Sequence, residues 1–189
     1  MRQVTKLTKV AIALLGALLM LSACATNNDN SAKFSNTDLM FADMMIPHHE
    51  QAIEMSDLAI EISDNPEILS LARRIKAAQA PEIDQMKLWL EARDSGHMSG
   101  DMMEDFDHSG HGMMGMLDEG EISELARATG VEFDRLFLKG MIAHHEGAID
   151  MAEMVVDSDN VEAAALGKAI ITSQTAEIEE MKTLLATLS

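Results

Sequence analysis

The sequence contains one cysteine, Cys24, no tyrosine, three prolines and only 3% aromatic residues. A single cysteine excludes an intramolecular disulfide and a metal site built from several thiolates, which fits an oxidising compartment. Basic residues are also few, since 14 lysines and arginines oppose 32 acids for a net charge of −18. A chain of this sign repels nucleic acid and anionic headgroups and attracts cations. Phosphate-loop and G-x-S-x-G motifs are missing, so nucleotide-binding and hydrolase functions have no support.

One apolar run lies near the N-terminus. Three basic residues precede residues 10–21, a run too short to span a membrane comfortably, which indicates a secretory signal over residues 1–23. The Leu-Ser-Ala-Cys sequence at 21–24 resembles a bacterial lipobox, which implies cleavage before Cys24 with lipid on its thiol and amine. Ala25 at the next position implies sorting to the outer membrane. We expect a lipid-anchored protein of the bacterial cell envelope that faces the periplasm; an ordinary signal peptide with an incidental cysteine is the alternative.

One twelve-residue stretch occurs twice. Residues 45–56 are MIPHHEQAIEMS and residues 141–152 are MIAHHEGAIDMA, with eight identities. A shorter pair of related stretches follows, QAPEIDQM at 79–86 and QTAEIEEM at 174–181. A repeat of this fidelity indicates one structural unit used twice.

Hydrophobic periodicity and capping residues predict four long helices and one short helix. These helices run from Ser35 or Asn36 to Ile62, Pro66 to Arg93, Glu121 to Ala128, Val131 to Val156 and Val161 to Leu188. We predict an all-α fold, a four-helix bundle made of two duplicated helical hairpins. A flexible tether at 24–34 precedes the bundle at 35–189, which comprises repeat one at 35–93, a mobile linker at 94–120 and repeat two at 121–189.

The helical period places polar residues on apolar faces in both repeats. At 100° per residue His48 lies in the middle of an apolar stripe with Met55 two turns along, and His49 lies at its edge. His144 and Met151 repeat this arrangement. Gln79 and Gln174 also fall on apolar faces, with Glu82 and Glu177 beside them.

Burial of such groups without partners costs about 1–3 kcal/mol each, so something must satisfy them. A His–Gln–Glu hydrogen-bond network is one answer, and a metal ion is the other. The doubled His-His pair favours metal, because one buried histidine is enough for a network. Met44 has Gly140 as its counterpart, so we expect two unequal sites, with Pro47 and Pro81 distorting the first.

The linker is rich in imidazole and thioether groups. Its candidate metal ligands are His97, Met98, Met102, Met103, His108, His111, Met113, Met114 and Met116. Thioether selects Cu(I), and imidazole suits copper in either oxidation state, so we favour Cu(I) and allow Cu(II). A methionine in a linker has no core to fill and is an oxidation hazard. A low-complexity segment or an interaction surface is the alternative interpretation.

The pattern M-I-x-H-H-E-x-A-I-x-M, followed about 30 residues later by Q-x-x-E-I-x-x-M, resembles the domain-of-unknown-function 305 family over residues 35–189. The resemblance implies a secreted, ferritin-like four-helix bundle and, as in some members, copper binding in the periplasm. The implied ligands are His48, His49, Met55, His144, His145 and Met151, with Met44, Met45 and Met141 as further candidates. The ligands would be supported by residues that do not bind the metal themselves: Gln79, Glu82, Gln174 and Glu177.

These observations predict a non-catalytic copper protein that buffers or delivers the metal. Its partners would be the metal ion, the membrane through Cys24, and a copper transporter or copper enzyme that the sequence does not identify. A structural or interaction module with a buried His–Gln network and no metal is the alternative. A di-iron oxidoreductase is disfavoured, because that site requires E-x-x-H motifs and none occurs in the sequence.

Overall fold

The described part of the chain folds into four long helices and one short one. The structure, a computed structural model, describes residues 33–95 and 114–188. Over these ranges the helices are α1 (Asn36–Ile62), α2 (Pro66–Ser95), α3 (Glu119–Arg127), α4 (Gly130–Ala152) and α5 (Val161–Thr187). No strand occurs within the described ranges, and the predicted all-helical fold is confirmed.

Local capping explains where the helices begin. The Ser35 hydroxyl accepts a hydrogen bond from the Asp38 amide at 3.2 Å, and the Asp38 carboxylate accepts one from the Ser35 amide at 2.7 Å. This reciprocal pair is a capping box, which satisfies two amides at the start of α1. Asp118 and Glu121 form the same pair at α3, and Asn160 caps α5. The start of α1 is where the sequence predicted it.

The helices pack as two hairpins. Helix α1 packs on α2, α4 packs on α5, and the hairpins meet through α1 and α4, with α3 against α4. Outside the core, the Arg74 guanidinium donates to both carboxylate oxygens of Glu180, at 2.5 and 2.6 Å, and so links α2 to α5. None of the described helices combines the length and apolarity needed to cross a membrane.

Among the described residues the core forms two hydrophobic clusters. The first contains Met44 and Met45 from α1 with Ala148 and Met151 from α4. The second contains residues that follow on α1, such as Met55, and residues that precede on α4, such as Met141. Helices α1 and α4 therefore run in opposite directions, and the His-His motifs of both helices lie between the two clusters.

Helix α4 is shorter than predicted. It ends at Ala152 rather than Val156, and residues 153–157 form tight turns. Amides of Met154, Val155 and Ser158 bond carbonyls three residues earlier. A Cβ on Gly167 would lie 3.0 Å from the Ala152 carbonyl, so α5 approaches this turn closely. The tighter winding keeps Val155 buried while the chain reverses.

The expectation that residues 94–120 lack regular structure is wrong at both ends. Helix α2 continues to Ser95, and α3 begins at Glu119. Residues 114–118, here called the covering segment, lie against α1 and α4. Most of the predicted linker ligands lie outside the described residues: His97, Met98, Met102, Met103, His108, His111 and Met113.

Candidate metal centre

All four histidines of the two motifs are fully buried where α1 meets α4. His48, His49, His144 and His145 each have 0% of their surface exposed. The rings of His48 and His144 lie with centroids 3.7 Å apart at an interplanar angle of 39°. The first histidine of each repeat therefore contacts its counterpart at the centre of the bundle. The prediction placed His49 at the edge of the apolar stripe, but the structure buries it as deeply as His48.

The second histidine of each motif is held by a glutamate from the partner helix of its own hairpin. Nε2 of His49 lies 2.7 Å from a carboxylate oxygen of Glu82, and Nε2 of His145 lies 2.7 Å from one of Glu177. An ionised carboxylate only accepts, so Nε2 carries a proton, and in the neutral ring Nδ1 then keeps its lone pair. A carboxylate in this position fixes the tautomer of a metal-binding histidine and makes it more basic.

The first histidines differ in their partners. Nε2 of His48 lies 3.0 Å from the backbone carbonyl of Met114, which again assigns the proton to Nε2. Neither ring nitrogen of His144 has a partner that meets hydrogen-bond geometry within the described chain, and the nearby His48 backbone only opposes in part the fall in the pKa of His144. Nδ1 of His49 and of His145 is also without a partner there, as is Nδ1 of His48. The site therefore holds four buried Nδ1 atoms that nothing described satisfies, and such atoms are suited to ligate a metal.

Burial keeps the central histidines neutral. Removal from water lowers the pKa of His48 from 6.5 to about 3, and the Met114 carbonyl opposes this only in part. Burial also lowers the pKa of His144 well below 6.5, and the neighbouring His48 acts in the same direction. Neutral imidazole is the form that binds metals, so both rings are ready to bind at any pH near neutrality.

The predicted methionines are buried in the two core clusters that lie on either side of the His-His motifs. Met45, Met55 and Met141 are fully buried, and Met151 and Met44 are 2% and 7% exposed. Met44, Met45 and Met151 belong to one core cluster, whereas Met55 and Met141 belong to the other. Beside the second core cluster, Gly140 has no side chain, and the space is filled by the Met55 methyl and the Leu117 side chain. Each lies 3.1 Å from the position that a Cβ on Gly140 would occupy.

An open cavity of about 360 Å³, which the sequence did not predict, lies beside the first core cluster. It is lined by Met40, Met44, Met114, Asp150, Met151 and Met154. Met40 precedes Met44 by one helical turn, and Met154 follows Met151 by three residues. This spacing from predicted ligands is the sequence signal that could have identified both residues. Among the two predicted linker ligands that the structure describes, Met114 lines this cavity and Met116 lines a different one, beside Leu117 and Gly140.

The buried glutamines do not complete a hydrogen-bond network with the histidines. Gln79 and Gln174 are 3% and 2% exposed, as the helical period predicted. In the described part of the chain, both side-chain polar atoms of Gln79 and the carbonyl oxygen of Gln174 have no partner. The glutamates, and not the glutamines, hold the histidines.

The covering segment closes the site from one side. The Gln51 amide donates to the Leu117 carbonyl at 2.8 Å and its oxygen accepts from the Leu117 amide at 2.8 Å. Gly115 has φ +75°, and a Cβ there would lie 2.1 Å from the Ala143 carbonyl. A Cβ on Gly147 would lie 2.0 Å from the Met114 carbonyl. Two glycines therefore allow the backbone that binds His48 to lie directly on α4.

Nitrogen and oxygen ligands alone do not assemble a complete site. Within residues 33–95 and 114–188, no three side chains of His, Cys, Asp or Glu converge as they would around one ion. The two core clusters on either side of the histidines contribute methionines, and imidazole together with thioether suits a soft ion such as Cu(I). The residues present thus fit a soft monovalent metal.

Comparison with known proteins places the chain in a family. A DUF305 protein from Streptomyces coelicolor is 30% identical, with a TM-score of 0.70 over 79% of this chain and 92% of that one. CopM in its Cu(II)-bound form is 36% identical, with a TM-score of 0.66 over 80% of this chain and 97% of that one. CopM in its Cu(I)-bound form is 33% identical, with a TM-score of 0.61 over 78% and 94%. No curated protein gave a match.

The family described as a domain of unknown function, DUF305, matches residues 38–185, which include both His-His motifs and the four long helices apart from two residues at the start of α1 and two at the end of α5. The resemblance that the repeated motif indicated is therefore confirmed. This protein belongs to the DUF305 family.

Proposed function

We propose that this protein is a non-catalytic copper-binding protein that buffers or delivers Cu(I). One observation carries the proposal: His48 and His144 contact each other in a buried core, with unpartnered Nδ1 atoms, between two core clusters that contain methionines. Buried polar atoms without partners cost about 1–3 kcal/mol each, and a bound metal would offset that cost. Similarity to CopM, which has been solved with Cu(I) and with Cu(II), supports the choice of metal.

The donor set favours Cu(I) over Cu(II). Thioether sulfur prefers the softer ion, and the two glutamates nearest the site are already bonded to His49 and His145. When bound, Cu(I) would be held by Nδ1 of the histidines and by sulfur of the adjacent methionines. Glu82 and Glu177 would orient the outer histidines and hold their protons on Nε2.

The same geometry argues against an oxidoreductase. A di-iron site needs several carboxylates and histidines that point inward to one place. In this bundle the described glutamates near the core bind histidines singly, and no group of three oxygen or nitrogen side chains converges there. A closed site of imidazole and thioether fits storage and transfer of a metal better than turnover of a substrate.

The proposed location follows from the N-terminal sequence. Residues 1–32 lie outside the described chain, so the lipid anchor at Cys24 and the position on the outer membrane remain predictions. An envelope location is consistent with a site that uses methionine instead of cysteine, because a thiol ligand would oxidise there. A copper transporter or a copper enzyme would be the recipient.

The test is a Cu(I) titration of soluble residues 25–189 against a chromophoric competitor, with Zn(II) and Fe(II) run in parallel. We expect tight Cu(I) binding and weak binding of the other two ions. The variant H48A/H144A should lose the tight phase and stay helical by circular dichroism. A matched deletion of residues 97–113, which leaves the covering segment in place, should lower capacity and keep the tight phase. Full stoichiometry in H48A/H144A would show that the linker, and not the core, holds the metal.

A further inference from the structure

The cavity beside the first core cluster is unusual because several of the methionines that line it are exposed. Met40, Met114 and Met154 are 40%, 37% and 37% exposed, whereas Met44 and Met151 behind them are 7% and 2% exposed. Among the described residues, these three methionines are half of the large apolar side chains that are exposed. All three line this one cavity of about 360 Å³.

Core filling does not account for this arrangement. A methionine in a core is buried, and an exposed one leaves apolar surface in water and a sulfur open to oxidation. The five methionines come from three separate parts of the chain: α1, the end of α4 with its turn, and the covering segment. They meet because the covering segment lies across both helices. Five methionines therefore line one cavity, and their side chains range from exposed to buried.

The cavity adjoins the buried histidines through three of its residues. Met44 lies one turn before His48, and Met151 lies two turns after His144. The backbone carbonyl of Met114 bonds Nε2 of His48. An ion held by the outer sulfurs would thus be next to residues that also flank the imidazole pair.

We propose that this cavity is a second metal site, which captures a soft monovalent cation, Cu(I) or Ag(I), from solvent and passes it to His48 and His144. The hand-over rests on the proposed function, because it needs a destination in the core. Asp150 lines the cavity and its negative charge attracts the cation, while the thioethers bind it without giving up a proton. Transfer is an exchange of ligands, sulfur for imidazole nitrogen, with no redox step and no proton release.

The test compares two variants of the whole chain with Ag(I) as the probe, since silver binds the same ligands and has no redox chemistry here. M40L/M154L removes two outer sulfurs, and methionine-to-leucine changes nearly conserve volume. M86L, which replaces a buried methionine of α2 that does not line the cavity, is the matched control. The quantities measured are the equivalents of Ag(I) bound and, by stopped flow, the rate at which the tight site fills. Contributions of the linker are common to all variants.

We expect M40L/M154L to bind about one equivalent fewer than wild type and to fill the tight site at least tenfold more slowly, and M86L to match wild type. H48A/H144A should lose the tight phase and retain the equivalent that M40L/M154L loses. Unchanged capacity and filling rate in M40L/M154L would overturn the cavity proposal and leave the core site intact, and would favour an apolar peptide as the occupant. No tight Ag(I) or Cu(I) binding by wild type would instead refute the proposed function.

Discussion

The histidines of the two repeats make the same contacts within their own hairpins, but they make different contacts with the covering segment. The His49–Glu82 and His145–Glu177 contacts have the same length, 2.7 Å. The central pair is unequal, because His48 bonds the Met114 carbonyl and His144 has no partner among the described residues. A duplicated sequence has thus produced one symmetric layer of contacts and one asymmetric layer.

The asymmetry can be traced to positions where the two motifs differ. Gln51 binds the Leu117 backbone, whereas its counterpart Gly147 makes room for the Met114 carbonyl. Met44 lines the open cavity, whereas its counterpart Gly140 lies against Leu117. The chain has one covering segment for two repeats. The residues that bind this segment therefore cannot be the same in both repeats. The exchanges between repeats mark where the connection lies.

Acid should lower the free energy of unfolding because the central histidines are buried in their neutral form, and this is the largest effect we expect. His48 has a pKa of about 3 when folded and an ordinary value near 6.5 when unfolded. The unfolded state therefore takes up the proton first, and stability that is complete above pH 6.5 is lost as the pH falls. By linkage, the free energy of unfolding should drop by about 2 kcal/mol between pH 7 and pH 5 from this group alone, and by about 4 kcal/mol by pH 3.

Urea unfolding of metal-free protein at several pH values measures this effect, and the comparison of variants isolates it. H48L and H144L should each flatten the pH dependence between 7 and 5, because one titrating group is removed while all carboxylates remain. If the two variants differ, the central histidines are not equivalent in charge. A wild-type slope in either variant would mean that the deleted histidine is protonated in the folded state.

Gly147→Ala should lift the covering segment from α4 and reduce stability by about 2–3 kcal/mol. The added methyl would stand 2.0 Å from a backbone oxygen, which cannot yield without movement of the whole segment. The bonds to His48 and Gln51 would break with it. Gly120→Ala is the matched control, since its Cβ meets only the Asp118 side chain at 3.0 Å. Equal urea midpoints for G147A and wild type would show that the segment does not rest there.

Sequence alone was sufficient for what depends on helical periodicity. The repeat, the starts of helices near Ser35 and at Val161, and the burial of His48, His144, Gln79 and Gln174 follow from local pattern, and the structure has them. The covering segment was missed because a carbonyl bonded to a histidine 66 residues away leaves no periodic trace. Gly115 and Gly147 looked like ordinary linker and helix glycines until their contacts with the opposite backbone were known. The Met40–Met154 cavity was missed for the same reason.

Replacement of each central histidine by leucine should change the stability of metal-free protein in opposite directions at pH 7. His144 buries two unpartnered nitrogens, so H144L, of similar size, should stabilise by about 1 kcal/mol. H48L removes the partner of the Met114 carbonyl and should destabilise by about the same amount. Urea midpoints at one pH measure both. Shifts of the same sign would mean that the covering segment does not distinguish the two repeats.

The smallest difference should appear where the repeats are symmetric. Glu82→Gln and Glu177→Gln each leave an oxygen that can accept from Nε2 but remove its charge, which weakens the bond by about 0.5 kcal/mol. Both glutamates are about one-fifth exposed, at 19% and 18%, so solvent screens them alike. The two variants should therefore unfold at the same urea concentration within error. A clear gap between them would show that the asymmetry of the covering segment reaches through His48 and His144 to the outer histidines, and that no layer of the site keeps the two-fold relation of the sequence.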